Sequence, residues 1–282
     1  MAARVPVDTP ATSLEDIEVG LLLEGVRRYF GLDFGRSTSP SLRRRLRLCM
    51  RAEGVSTVSA LQDRVLHNDD SMRRFVRTVS VNVTSMFRDP RLFGAVRRHV
   101  VPWLSSHPSI RIWHAGCSTG EEVFSMAVLL AEEGLLDRTR LYGSDVDPAL
   151  LERAAEGRVP LPRLAGYVDA HRRAGGTGSL CDHVSIGGEY AAFGPHLRSR
   201  ITWAHHNLAT DGSFNDFHLL LCSNVLIYLD REPQRHALEV LSGSVVPFGF
   251  LGLGARELLG PGVDGLGFRR LDADANLYKR AR

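Results

Sequence analysis

The fold is decided by Ile110-Arg-Ile-Trp-His-Ala-Gly-Cys-Ser-Thr-Gly-Glu-Glu-Val-Phe-Ser-Met-Ala-Val-Leu-Leu130. Residues 110–113 are a short apolar run of strand type. They pass into a turn of small residues, 115–120. Beyond it Val123, Phe124, Met126, Ala127 and Leu130 recur at helical spacing. Strand, glycine turn and helix is the unit by which α/β folds bring backbone N–H groups and a helix N-terminus up to a nucleotide-like ligand. Here the turn closes on Glu121 and Glu122, where a phosphate-binding loop carries Lys followed by Ser or Thr. Carboxylates suit the positive end of a helix but repel phosphate. The expected ligand is therefore a nucleoside carrying positive charge and hydroxyls.

Outward from this hub, a second strand at 141–145 ends in Asp145, where such folds hold ribose hydroxyls. Asp147-Pro148 reads as the cap and first residue of the next helix, closed by Gly157. Asp145 is thus assigned to the ligand and Asp147 to capping. Residues 160–200 interrupt the rhythm with Pro160, Pro162, a 175–178 glycine turn and two short candidate strands, 183–186 and 190–193. They read as an inserted antiparallel piece. Strand character resumes at 201–208 and in the apolar run His218-Leu-Leu-Leu-Cys222, typical of a strand buried on both faces. A helix at about 232–241, a strand at 247–254 and a closing hairpin, 268–271 with 276–279, complete the pattern.

Upstream, residues 13–78 read as a small helical domain. Leu21, Leu22, Val26 and Phe30 are expected to share one face of its first helix. A second helix, 41–51, sets Leu42, Leu46, Cys49 and Met50 against Arg43, Arg44, Arg47 and Arg51. That arginine face is either a solvated surface or a recognition surface for an acidic partner, which guanidinium forks match well. The β-branched segment 79–90, ended by Asp89-Pro90, is the junction, and 91–282 follows as the α/β domain.

Composition restricts the function classes. A hydrophobic share of 44% and a charged share of 24% over 282 residues are ordinary for a globular protein. A net charge of +3 is too small to argue for nucleic acid. Lys279 is the lone lysine, so arginine richness by itself says little. Cys49, Cys117, Cys181 and Cys222 form no C-x-x-C pair and suggest neither a zinc site nor a disulfide framework. No metal is expected. The absence of a leader pattern and of an apolar span predicts a cytoplasmic setting without membrane insertion. No G-x-G-x-x-G is present for NAD, and the acids, Asp145 and the polar strand ends fit S-adenosylmethionine better than NAD or ATP.

Five motifs carry the reading further: Asn82-Val-Thr-Ser-Met-Phe-Arg-Asp-Pro90, Ala115-Gly-Cys-Ser-Thr-Gly-Glu-Glu122, Ser144-Asp-Val-Asp147, His206-Asn-Leu208 and Cys222-Ser-Asn-Val-Leu-Ile-Tyr228. In this order and spacing the chain resembles the CheR-type methyltransferases, which esterify glutamates of bacterial chemoreceptors, from about residue 14 onward. The resemblance implies a Rossmann-like class I methyltransferase domain with a small antiparallel insert, preceded by an all-helical domain. It implies that Asn82, Thr84, Arg88, Gly116, Glu122, Asp145, Asn207, Leu208, Ser223 and Asn224 line the site of S-adenosylmethionine and its product S-adenosylhomocysteine. Arg88 and Tyr228 fall at positions beside the transferred methyl group and implicated in catalysis. Arg43, Arg44 and Arg47 match the family's receptor-recognition helix, so the implied partner is the helical cytoplasmic domain of a chemoreceptor.

Each residue also has a plainer reading. Arg88 could pair with Asp89, Tyr228 could be a packed aromatic, and Glu121 reads as a solvated first-turn acid. His205 and His206 read as structural, and Cys117 and Cys222 as small residues rather than thiol chemistry. The chain departs from the family with Ser223 where an arginine is common, and with Met86-Phe87-Arg88 where Phe-Phe-Arg is common. The lost arginine leaves open an adaptor that binds the cofactor with weak or no catalysis, as well as a methyltransferase for another carboxylate. No Asn/Asp-Pro-Pro-Tyr motif is present, which argues against nitrogen methylation.

Overall fold

The computed structural model describes residues 13–30, 34, 40–79, 84–229, 231–255, 257, 267–272 and 274–281, without the side chains of Ser41, Arg73, Val76, Arg77 and Tyr228. It separates into two compact units, residues 1–81 and 82–282.

The first unit is helical: α1 (Leu14–Phe30), α2 (Pro40–Glu53), α3 (Val58–His67) and α4 (Asp69–Val79). Helix α1 begins where the Ser13 hydroxyl accepts the Asp16 N–H, and α3 where Thr57 accepts that of Ala60. Val19, Leu22, Leu23 and Val26 of α1 are buried, at the spacing of one helix face. Leu21, expected on that face, is 57% exposed because it lies a residue off the stripe. Leu42, Leu46 and Cys49 of α2 join α1, Val58, Leu61 and Val65 of α3, and Met72 and Phe75 of α4 in one core.

The second unit opens with helices α5 (Pro90–Ala95) and α6 (Val101–Leu104), joined by a π-helical turn, Val96–Val100. Asp89 caps α5 by accepting the N–H groups of Arg91 and Leu92. Then follow β1 (Ile110–Ala115), α7 (Glu121–Glu132), β2 (Thr139–Asp145), α8 (Pro148–Glu156), β3 (Arg158–Pro160), α9 (Leu161–Arg173), β4 (Val184–Gly187), β5 (Tyr190–Phe193), α10 (Pro195–Arg198), β6 (Ile201–His205), β7 (Phe217–Cys222), α11 (Arg231–Gly243), β8 (Val245–Leu253), β9 (Phe268–Asp272) and β10 (Leu277–Arg280).

The main sheet runs β6-β2-β1-β7-β8-β10-β9. Its first five strands are parallel, and β10 is antiparallel to both neighbours. All six residues of β7 are buried, as a central parallel strand requires. Alternation along β1 divides the core. Ile112 packs with α7 in one cluster, and Trp113 and Ala115 pack with Ala237 and Leu241 of α11 in the other.

The insert is a three-stranded antiparallel sheet, β3-β5-β4, with helix α9, which the sequence reading did not place. Pro162 sits in the first turn of that helix, where its missing N–H costs nothing, so it does not interrupt it. The buried Leu164, Tyr167, Ala170 and His171 mark its inner face. Glu132 at the end of α7 accepts from His171 Nε2 at 2.8 Å and from the Gly178 N–H at 3.0 Å, fastening the insert to α7. Among the described residues no helix is long and apolar enough to cross a membrane.

Candidate active site

The strand register lines up the polar ends. Ala115 pairs with Ser144 and with Cys222, and Asp145 pairs with His205. The residues that follow or end these strands, Gly116, Asp145, Asn207, Leu208, Ser223 and Asn224, therefore emerge along one edge of the sheet. Strand order reverses between β1 and β7, and the crevice outside the carboxyl ends at such a point is where open α/β sheets bind ligands.

The turn after β1 is tightly built. Gly116, Ser118 and Gly120 have φ of +70°, +52° and +86°. A Cβ on Gly116 would lie 2.3 Å from Val225 Cγ2, and one on Gly120 2.8 Å from Trp203 Cη2. Only glycine fits both the dihedral and the space. The turn is anchored by the Cys117 N–H donating to the Ser144 carbonyl at 2.8 Å. The Ser118 N–H donates to Asp145 Oδ2 at 2.8 Å, and the Asp147 N–H to Oδ1 at 3.0 Å. Asp147 itself caps α8 through the Ala149 N–H. Burial pushes the Asp145 carboxyl above its ordinary value, against those two N–H donors. Ser118 Oγ is buried here with no hydrogen-bond partner among the described residues.

At the start of α7 the two acids differ. Glu122 is partly exposed and accepts from Nδ1 of the fully buried His114 at 2.9 Å. Glu121, expected to be solvated, is instead 4% exposed and accepts from the Thr119 hydroxyl at 2.6 Å. The correction has a local cause: the turn folds Thr119 back over the first helical residue, which supplies a donor and removes water.

On the same side of the switch point, beyond β2, Asn207 forms a local turn after β6. Its N–H donates to Asp211 and its Oδ1 accepts the Ala209 N–H. Leu208 is buried in the α11-side cluster, and His206 is held to the Gly212 carbonyl. Ser223 and Asn224 are half-buried, and Asn224 has φ +61°. What holds them is Glu257, which the sequence reading did not single out. Its oxygens accept the N–H groups of Asn224 (2.7 Å), Val225 (2.8 Å), Leu226 (2.8 Å) and Gly254 (2.9 Å). Burial raises the Glu257 carboxyl in spite of those four donors. The only trace in the sequence is a lone acid four residues beyond an apolar strand. Burial likewise pushes the Cys117 and Cys222 thiols well up, which disfavours thiolate chemistry.

Thr84 is half-buried and Arg88 is exposed. The Phe87 N–H donates to Ser125 Oγ at 2.9 Å, holding the Arg88 segment to α7 one turn from Glu122. Because Asp89 caps α5, it is committed to backbone N–H groups. Asn82 lies outside the described residues, as does the side chain of Tyr228, whose backbone closes the short turn Leu226–Tyr228. In the helical unit Arg43 is half-buried in an ion pair with Asp16, and Arg47 meets Glu15 at 3.4 Å. Arg44 is exposed.

Comparison with known proteins matches residues 17–80 to the family described as CheR methyltransferase, all-alpha domain, and residues 82–267 to CheR methyltransferase, SAM binding domain. A protein of Pseudomonas putida named putative methyltransferase Cher3 is 42% identical over 242 residues, which cover 86% of this chain and 89% of that one. A chemotaxis protein methyltransferase of Listeria innocua is 26% identical over 244 residues, 86% of this chain and 90% of that one. Among solved structures, the N-methyltransferase NodS of Bradyrhizobium japonicum with S-adenosyl-L-homocysteine aligns with a TM-score of 0.39 at 19% identity, over 79% of this chain and 97% of that one.

Proposed function

Since the chain belongs to the CheR methyltransferase family, we propose that it transfers a methyl group from S-adenosylmethionine to glutamate side chains on the helical cytoplasmic domain of a chemoreceptor. The observation that carries this reading is the pair of carboxylates, Glu122 and Asp145, set on either side of a glycine turn at the switch point. The residues fit the cofactor. Acids suit its ammonium and ribose hydroxyls, Ser118 Oγ, without a partner among the described residues, offers one more hydrogen bond, and the turn carries no side chain at Gly116 or Gly120, where a Cβ would clash.

When bound, S-adenosylmethionine supplies an electrophilic methyl group on a positively charged sulfur. Glu122 takes the amino-acid end and Asp145 the ribose. Asn207 and Leu208 border the base, and the Ser223–Asn224 turn closes the crevice. A glutamate substrate, with an ordinary pKa of about 4.3, is already ionised near neutral pH and requires no general base. What remains for the protein is alignment, worth about 7–11 kcal/mol in favourable cases. Arg88 orients the incoming carboxylate, and the Tyr228 hydroxyl adds one hydrogen bond. An overly tight Arg88 pair would stabilise the ground state and slow transfer. On α2, Arg44 and Arg47 face the receptor's acidic surface, while Arg43 shares its charge with Asp16.

The test is incubation with labelled cofactor and receptor cytoplasmic domains. Base-labile methyl esters are expected, and Arg88→Ala should abolish them. Label that resists base, or none at all on receptor carboxylates, overturns the proposal.

A further inference from the structure

His114 is a buried imidazole at the carboxyl end of β1, with none of its surface exposed. Its in-register neighbours on the same face are Gly143 of β2 and Leu221 of β7, and neither side chain offers a polar group. Its Nδ1 lies 2.9 Å from Glu122 Oε1. A carboxylate only accepts, so the proton of this bond sits on Nδ1. Nε2, equally buried, has no hydrogen-bond partner among the described residues. A structural histidine in a strand is ordinarily satisfied at both nitrogens. This one leaves one nitrogen bare and spends the other on the first-turn acid of α7.

We infer that His114 is a positioning residue of the cofactor site. Its Nδ1–H fixes one oxygen of Glu122, which holds the carboxylate in a single orientation and leaves the other oxygen for the α-amino group of the cofactor. An otherwise mobile glutamate would have to be ordered at binding, and a preset one avoids that entropy. The inference rests on the reading that Glu122 meets the amino-acid end of S-adenosylmethionine, and the experiment separates the two.

Calorimetry would compare S-adenosylhomocysteine, which carries the amino-acid end, with 5′-methylthioadenosine, which lacks it. For His114→Leu the first ligand is expected to bind about ten-fold more weakly, the scale of one charge-assisted hydrogen bond. The second should be unchanged within about two-fold. His114→Gln, which restores an N–H donor, should recover much of the loss. Glu122→Gln should show the same ligand-selective loss. Equal weakening of both ligands by His114→Leu, or no weakening, overturns the inference. If Glu122→Gln weakens neither ligand, the assignment of Glu122 fails instead. Should His114→Leu not fold, the imidazole nitrogen resonances of the unmodified protein decide. The His114 Nδ1 signal is expected to move on adding S-adenosylhomocysteine and to stay put with 5′-methylthioadenosine. An unmoved signal with both ligands overturns the inference.

Discussion

Replacing Gly116 by alanine tests whether the turn after β1 and the loop after β7 are packed as one piece. Gly116 has φ +70°, where an L side chain costs about 1–2 kcal/mol. The new Cβ would lie 2.3 Å from Val225 Cγ2 and 3.3 Å from Cγ1, whereas carbon atoms rest about 3.5–4.0 Å apart. Val225 must therefore move, an overpacking penalty of about 1–3 kcal/mol. The expected loss for Gly116→Ala is about 2–5 kcal/mol. Val225→Ala alone removes two half-buried methyl groups and should cost about 1 kcal/mol. In the double variant both clashing atoms are gone, and only Val225 Cβ at 3.4 Å remains near. The overpacking part should vanish, giving a favourable coupling of about 1–3 kcal/mol, with the dihedral cost left behind. Urea unfolding of the full chain followed by tryptophan fluorescence suits the measurement, because Trp103, Trp113 and Trp203 all lie in the second unit. Strict additivity of the two substitutions would refute the packing argument.

Other expectations follow from single contacts. Glu257→Ala strips the acceptor from four backbone N–H groups and should lower stability by about 3 kcal/mol while weakening S-adenosylhomocysteine binding; an unchanged urea midpoint counts against the role given to Glu257. Asp145 and Glu257 are both raised above their ordinary 3.8 and 4.5 by burial. Ionising them is therefore harder in the folded chain, so the stability they add is full below those ordinary values and is lost as pH rises through the raised ones. Urea midpoints followed from pH 3.8 upward should fall less for Asp145→Asn than for the unmodified chain, and identical profiles would contradict the burial effect. Arg43→Glu puts an acid against Asp16 and should destabilise the helical unit by about 1–2 kcal/mol, whereas Arg44→Glu should leave its thermal unfolding unchanged and reduce receptor methylation. Equal melting losses for both would undo the distinction between them.

The reach of sequence reading varied with how local each signal was. The hub at 110–130 was legible because a strand, a small-residue turn and a helix are written in consecutive residues, and the order of βα units followed from the same periodicity. Pro162 misled because proline in a first turn and proline as a breaker look alike until the helix start is known. Glu121 and Glu122 are adjacent and chemically identical, so their separation into a Thr119-bound buried acid and a His114-bound, partly exposed one could not be read from type. Glu257 and the loop it holds are 31–33 residues apart, and no local pattern joins them.

By itself, the sequence determined the fold class, the helical unit ahead of it, the glycine turn between β1 and α7 and the family that the five motifs carry. Those properties rest on hydrophobic period, glycine placement and capping, each set within a few neighbouring residues. Only the tertiary structure decided which charges are spent. It paired Arg43 with Asp16, set a solitary carboxylate beneath the Asn224 turn, placed Val225 against Gly116, and buried His114 with one nitrogen on Glu122. Burial and hydrogen-bond partnership depend on strands and loops brought together from distant parts of the chain, and a residue's identity fixes what it can bond but not what it meets.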